Sequence, residues 1–290
     1  MLGSFSVTLF DSTADGLAID ATPKAEEGKV QGVMVGGRAA AFVLLSLVFG
    51  WLAERIGYAV VFPIVGFSML IPLLWVVQLR EPLVRSAETR FEWRAFRVMV
   101  TPGFLIFSLY AIVYSIGSFG IDGLITYALD RVFDVTESTI GHYGALRGAG
   151  AVVGAVVGGM LVDHLGRRKS AIGAAMLVSI TGLAFGLAPN AMVIVALGLL
   201  WGIIWAFQET IFFALAMDLA DTRIAASMFA IMMGVSNLGA ALADGAATAL
   251  SDDLGFSIVF FFLAFINLLT LPILLEVFRR TPELRIVSST

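Results

Sequence analysis

Eight times between residues 30 and 277 the sequence runs for nineteen residues or more with almost no charge: 30–53, 58–79, 102–128, 139–162, 170–188, 191–217, 224–250 and 256–277. A ninth and weaker run covers 2–20. A helix that crosses a bilayer needs about 20 mostly apolar residues. Backbone polar groups in lipid have to be satisfied within the segment, so such runs are helices and not isolated strands. Composition agrees: 59% of residues are hydrophobic and 14% charged, against about 25% charged in soluble domains. With a mean hydropathy of +0.95, the chain has too little polar surface to cover itself in water. The reading is an all-α membrane protein of about nine transmembrane helices.

Several chemistries are disfavoured. Cysteine is absent, and the only histidines are His142 and His164, so neither a disulfide framework nor a metal site is expected. No G-x4-GK[ST] phosphate loop is present, which argues against ATP-driven pumping. No nucleophile–base pair, cofactor motif or nucleic-acid footprint stands out, so an enzyme is not expected. The opening MLGSFSVTLFDSTADG has no basic n-region, and Asp11 and Asp15 interrupt its apolar run, unlike a signal peptide.

Only the connection 80–98 is long and polar. With it on the cytoplasmic side and the spans alternating, 14 of the 18 Lys and Arg fall in cytoplasmic loops and the C-terminal tail. Arg55 and Arg131 fall opposite, and Arg38 and Arg147 inside helices. That bias fits the positive-inside rule and places the chain in the cytoplasmic membrane.

The chain also repeats itself. Shifted by 198, residues 11–73 give 13 identities in 63 positions. LAID (17–20) falls on LAMD (215–218), ERIGYAVVF (54–62) on DDLGFSIVF (252–260), and Asp11 on Glu209. Parallel repeats build many transporters. The second unit has six helices, and the first three segments match only its last three. The expected organisation is therefore the last three helices of an N-terminal half (1–79), a cytoplasmic linker (80–98) and a complete six-helix C-terminal half (99–290), as if three helices were missing from the front of a twelve-helix plan.

The loop GGMLVDHLGRRKS (158–170) resembles the G-x3-D-R/K-x-G-R-x-R/K signature of the major facilitator superfamily. Gly159, Asp163, Gly166, Arg167 and Lys169 match, and His164 departs from it. The resemblance implies a major facilitator-type helical bundle, N-terminally truncated relative to twelve helices, in which this chain supplies helices four to twelve. FDSTADGLAIDATP (10–23) and VGGRAAA (35–41) are similar to segments of the muropeptide permease and acetyl-CoA transporter branch. A carboxylate at a helix C-terminus is unfavourable alone, so Asp163 should find Arg167 and the N-terminus of a neighbouring helix. Such a cluster is a candidate cytoplasmic gate.

Ionisable residues at membrane depth are functional candidates. Asp11 and Asp15 lie on the fourth helix of the plan, Asp122 on the seventh and Glu209 on the tenth, and the resemblance implies that these helices line the central cavity. Asp11 and Glu209 each lie nine residues from the Asp ending their helix, roughly 14 Å at 1.5 Å per residue. An Asp11–Arg38 pair at that depth is expected, and Asp122, Arg147 and Asp244 form a second candidate group. Trp201, Trp205, Phe207, Phe212, Tyr110, Tyr114 and Tyr127 flank these acids and are candidates to stack on solute. Gly150, Gly154 and Gly158 on the eighth helix, with Gly32 and Gly36 on the fifth, should form the seam between halves. The small face of the eleventh helix (Gly239, Ala243, Ala246, Ala247) should be open to lipid or covered by a partner chain.

The function expected is a secondary transporter of a small solute, working by alternating access with the proton as coupling ion. The alternative is a non-transporting remnant or a partner-dependent membrane assembly protein, distinguished by the absence of uptake or by a stable co-purifying chain.

Overall fold

The computed structural model describes residues 13–14, 17–18, 22, 26–68, 70–72, 74 and 92–281. Asp11, Asp15 and most of the expected span 2–20 lie outside the described residues, as does most of the 80–98 linker. The described chain forms α1 (Glu27–Ile56), α2 (Tyr58–Ser68), a 3-10 segment (Trp93–Val100), α3 (Pro102–Tyr127, continuing as a π turn Ala128–Val132), α4 (Glu137–Leu165), α5 (Arg167–Gly186), α6 (Ala191–Leu219), α7 (Ala225–Leu254), α8 (Phe256–Leu268) and α9 (Thr270–Arg280). Among the described residues there is no strand.

Six helical segments are long and apolar enough to cross a membrane: Pro102–Val132, Thr139–Leu165, Arg167–Gly186, Ala191–Leu219, Ser227–Leu254 and Phe256–Arg280. Helix α1 has the length of a span, roughly 45 Å for its thirty residues. Their outer faces are apolar. Ile258, Phe262 and Phe265 on α8 are more than half exposed, an i, i+4, i+7 stripe that suits lipid and would be a liability in water.

Local chemistry sets the ends. Thr101, Thr136 and Asn190 accept from the backbone amides of Phe104, Thr139 and Val193, capping α3, α4 and α6. Three corners are each a single glycine with positive φ: Gly57 at 77°, Gly166 at 82° and Gly255 at 84°. Side-chain-bearing residues rarely adopt that conformation. Gly57 and Gly255 are the equivalent positions of the two repeated corner sequences.

Two expected spans carry a local break, although the last remains one membrane-length segment and residues 69, 73 and 75–79 of the other lie outside the described residues. The run 58–79 begins as a helix that ends at Ser68, followed by a turn at 70–72. Pro63 and Pro72 each lack a backbone N–H, and Pro72 disfavours helical geometry in the residue before it. The last span is broken at Leu269 between α8 and α9, because Pro272 has no N–H to offer the Leu268 carbonyl.

Helix α4 lies between α1 and α6, and small residues line both contacts. Against α1, Gly159 meets the Gly28 carbonyl and the Gly32 Cα, and Ala155 meets Gly32 and Gly36. Against α6, Gly150, Gly154 and Gly158 sit on Leu199, Ile203 and Phe207, while Gly198 and Gly202 of α6 sit on Tyr143 and Arg147. The run 150, 154, 158 therefore packs on the tenth helix of the plan and not on the fifth. Four-residue spacing specifies a close approach, not which neighbour makes it. A second correction concerns α7. Gly239 packs on Ile112 and Ser115 of α3, and Ala243 and Ala247 are buried. Only Ala246 of that small face is exposed. It is covered from within the chain because its small side chains admit α3.

At one end of the bundle, Arg223 in the α6–α7 loop bonds Asp221 at 2.7 Å and Glu92 at 3.2 Å, joining that loop to the 3-10 segment. The hydrogen bonds from Arg223 hold the Asp221 carboxyl below its usual range.

Candidate functional site

A cavity of about 280 Å³ opens between α1, α4 and α6. Val35, Arg38 and Ala39 come from α1, Arg147, Gly148 and Ala151 from α4, and Trp205, Glu209 and Phe213 from α6. The close approach of α4 and α6 at Gly202 brings Trp205 to Arg147 and, one turn away, Trp201 to the acid that Arg147 holds. The Arg147 guanidinium carbon lies 4.6 Å from the centre of the Trp205 ring, within cation–π range. Arg38 is placed likewise over Phe213 at 5.5 Å.

Behind this wall, Asp122 of α3 takes two bonds from Arg147, Nε to Oδ1 and Nη2 to Oδ2, both 2.6 Å. The Trp201 indole N–H donates to Asp122 Oδ1 at 2.7 Å. A bidentate, charge-assisted pair of this kind fixes both partners in orientation. Asp122 is not among the residues that line this cavity. Asp244 is exposed on α7 beside Gly123 and lies outside the pair. We expect Asp122→Asn to lower stability by about 1–3 kcal/mol, below the figure for a fully buried pair because both side chains remain about a fifth exposed. Thermal unfolding of the detergent-solubilised variant measures this; an unchanged midpoint contradicts it.

Glu209 is 9% exposed. The Tyr114 hydroxyl of α3 donates to Glu209 Oε2. Tyr114 is itself wedged between Tyr110 and Phe212, with ring centres 5.8 and 4.9 Å away. Of the aromatics named from the sequence, Trp205 lines the cavity, while Tyr114 and Trp201 donate to carboxylates. Phe207 packs on Gly158, and Tyr127 donates to Asp252. One residue further along α6, Gln208 donates to Asn267 of α8 at 3.2 Å, and Asn267 donates to the Ala175 carbonyl at 2.9 Å and to Ser179 at 3.0 Å on α5.

The signature loop builds a second cluster at the end of α4. Asp163 Oδ1 accepts from the Gly28 amide at 3.2 Å and Oδ2 from the Lys29 amide at 3.0 Å, so the carboxylate caps the first turn of α1. Arg167 bonds Asp163 at 2.9 Å and Asp218, at the end of α6, at 3.0 Å. Gly159 gives α1 its room and Gly166 makes the corner. Lys169 and His164 stand exposed outside the cluster. Sequence reasoning named Asp163, Arg167 and a helix N-terminus, and missed Asp218. The signal was present in LAMD, whose Asp sits at a helix end and recurs in LAID. The pairing of Tyr114 with Glu209 and of Trp201 with Asp122 left no sequence signal beyond aromatic residues near acids. Among the described residues no group of His, Cys, Asp and Glu could hold a metal ion.

The family model described as Major Facilitator Superfamily matches residues 107–289, well over half of the chain. The chain belongs to the major facilitator superfamily. Within that superfamily it is 25% identical to a gentisate transporter of Corynebacterium glutamicum over 158 residues, 53% of this chain and 36% of that protein. It thus spans about a third of the length of the curated relative it matches. Family membership and the six apolar segments together make it a multi-pass membrane protein.

Proposed function

We propose that this major facilitator is a secondary transporter that moves a small organic solute by alternating access, coupled to a proton carried by Glu209. The observation that carries the reading is a carboxyl placed on a cavity wall inside the bundle, almost out of water, with a tyrosine hydroxyl as its partner. The cavity beside this carboxyl supplies a path for the proton. Glu209 is faced by Tyr110, Tyr114 and Asp122 of α3, Arg147 of α4 and Arg38 of α1. Its protonation adds one positive charge to the cavity and frees Tyr114 to exchange partners, so proton and solute binding are linked. The Asp163–Arg167–Asp218 cluster joins α1, α4 and α6 at one end, and its opening is the gating step of this proposal. The name of the curated relative supports a transported solute.

The test uses the full chain in vesicles loaded with a pH-sensitive dye. A panel of small organic solutes is added outside. The native protein moves protons with at least one of them, and Glu209→Gln moves none while remaining folded. Proton movement by Glu209→Gln at the native rate rejects the assignment.

A further inference from the structure

We propose that the 3-10 segment in front of α3 is a docking surface for anionic phospholipid headgroups. Arg94 and Arg97 take the phosphate, and Trp93 and Val100 enter the acyl boundary. The segment runs Trp93–Val100 and reads WRAFRVMV. One residue, Thr101, separates it from Pro102, where a membrane-length segment begins, so it lies where that span meets the headgroups. In a 3-10 helix the side chains at i and i+3 eclipse one another. Ala95 is buried and Val98 packs against the core beneath it. Phe96 and Met99 are partly buried against the same core, and Trp93 stacks on Phe96 with ring centres 5.8 Å apart. Arg94, Arg97 and Val100 form the remaining stripe, and all three are exposed. Trp93 is 78% exposed and Val100 73%. The platform is held from behind, by Arg223 bonding Glu92 and by the Thr101 hydroxyl donating to the Val98 carbonyl at 2.6 Å.

Charge selects the lipid. The neighbouring acids are already engaged: Glu92 and Asp221 by Arg223, and Glu276 of α9 by Arg279 and Arg280. Helix α9 ends at this same side of the bundle, with Thr281 against Gly103. Among the described residues neither Arg94 nor Arg97 pairs with an acid. Two guanidiniums one turn apart and without a counter-ion present planar forks that match phosphate oxygens. A zwitterionic headgroup carries its own cation to the same two arginines, and an anionic headgroup does not. Basic residues beside a span are drawn to anionic leaflets, and tryptophan concentrates at the membrane–water interface. A soluble acidic protein would answer the arginines alone; Trp93 and Val100 call for an acyl boundary as well.

The test reconstitutes the full chain in phosphatidylcholine vesicles and reads the quenching of tryptophan fluorescence by lipids brominated near the headgroup end of their acyl chains. The share of Trp93 is the native signal less that of Trp93→Phe. Brominated phosphatidylglycerol and brominated phosphatidylcholine are compared over a range of mole fractions. Half-maximal quenching of Trp93 is expected at a mole fraction about tenfold lower for phosphatidylglycerol, since each arginine near an anionic surface contributes about a factor of five. The preference shrinks in about 1 M salt, where the screening length falls to about 3 Å. Arg94→Gln combined with Arg97→Gln brings the two lipids to parity and keeps a native elution profile. Equal quenching by the two lipids in the native protein overturns the proposal, however the variants fold. Displacement of phosphatidylglycerol by inorganic phosphate also overturns it, because the site would then belong to a soluble anion. A preference that survives in the double variant rejects the assignment to these arginines.

Discussion

Arg167→Ala is expected to lower the stability of the protein by about 3–5 kcal/mol, the usual cost of removing one partner from a buried ion pair. Burial here is nearly complete: the Arg167 side chain is 1% exposed, Asp163 7% and Asp218 3%. The substitution leaves two carboxylates facing each other at the junction of α1, α4 and α6. Asp163 retains the Gly28 and Lys29 amides, but Asp218 loses its ion-pair partner. Arg167→Lys should recover only part of the loss, because an ammonium is a point charge and cannot fork between two acids. Adding Asp218→Asn to Arg167→Ala should restore about half of the stability by removing one uncompensated charge. Thermal unfolding followed by size-exclusion in detergent measures all three, and a midpoint for Arg167→Ala within a degree of native contradicts the assignment of this cluster as a clasp.

Gly202→Leu should do more, and abolish folding of the α4–α6 pair altogether. A Cβ at Gly202 overlaps the Arg147 carbonyl, which is backbone and cannot rotate away. Even modest overpacking of a dense interior costs about 1–3 kcal/mol, and a full leucine side chain on this surface forces two helices apart along their length. Trp201 and Trp205 would then be drawn from Asp122 and Arg147, so the site fails with the seam. Gly173→Leu is the matched control, since a Cβ there meets no neighbouring atom within 4 Å. The expected result is loss of monodisperse protein for Gly202→Leu and a native elution profile for Gly173→Leu. Comparable yields of both would show that the seam tolerates separation.

Much of this architecture was legible in the sequence because membrane spans are written in length and hydropathy, which need no tertiary knowledge. Six of the expected runs correspond to the six membrane-length segments. The Asp163–Arg167 contact was legible because a carboxylate at a helix C-terminus demands a cation, and the cation lay four residues away. Partners far along the chain were harder. Glycine spacing on α4 announced a close contact but is silent about direction; at 100° per residue Gly150 and Ala155 face different neighbours, and only three dimensions assign α6 to one and α1 to the other. Tyr114 was noticed as an aromatic and not as a donor, because a phenol reads as apolar until a carboxylate is placed beside it.

The single-glycine corners at Gly57, Gly166 and Gly255 have a mechanical meaning. A joint one residue wide has no slack. Torque applied to α4 reaches α5 through Gly166, and torque on α7 reaches α8 through Gly255, with little play between them. Compliance is left to the longer joints, the π turn and residues 133–136 between α3 and α4 and the Asp221–Arg223 loop between α6 and α7. Reporter probes placed at 133–136 and 220–224 would therefore register displacement between helical pairs, while the same probes beside the glycine corners would travel with their pair and register none.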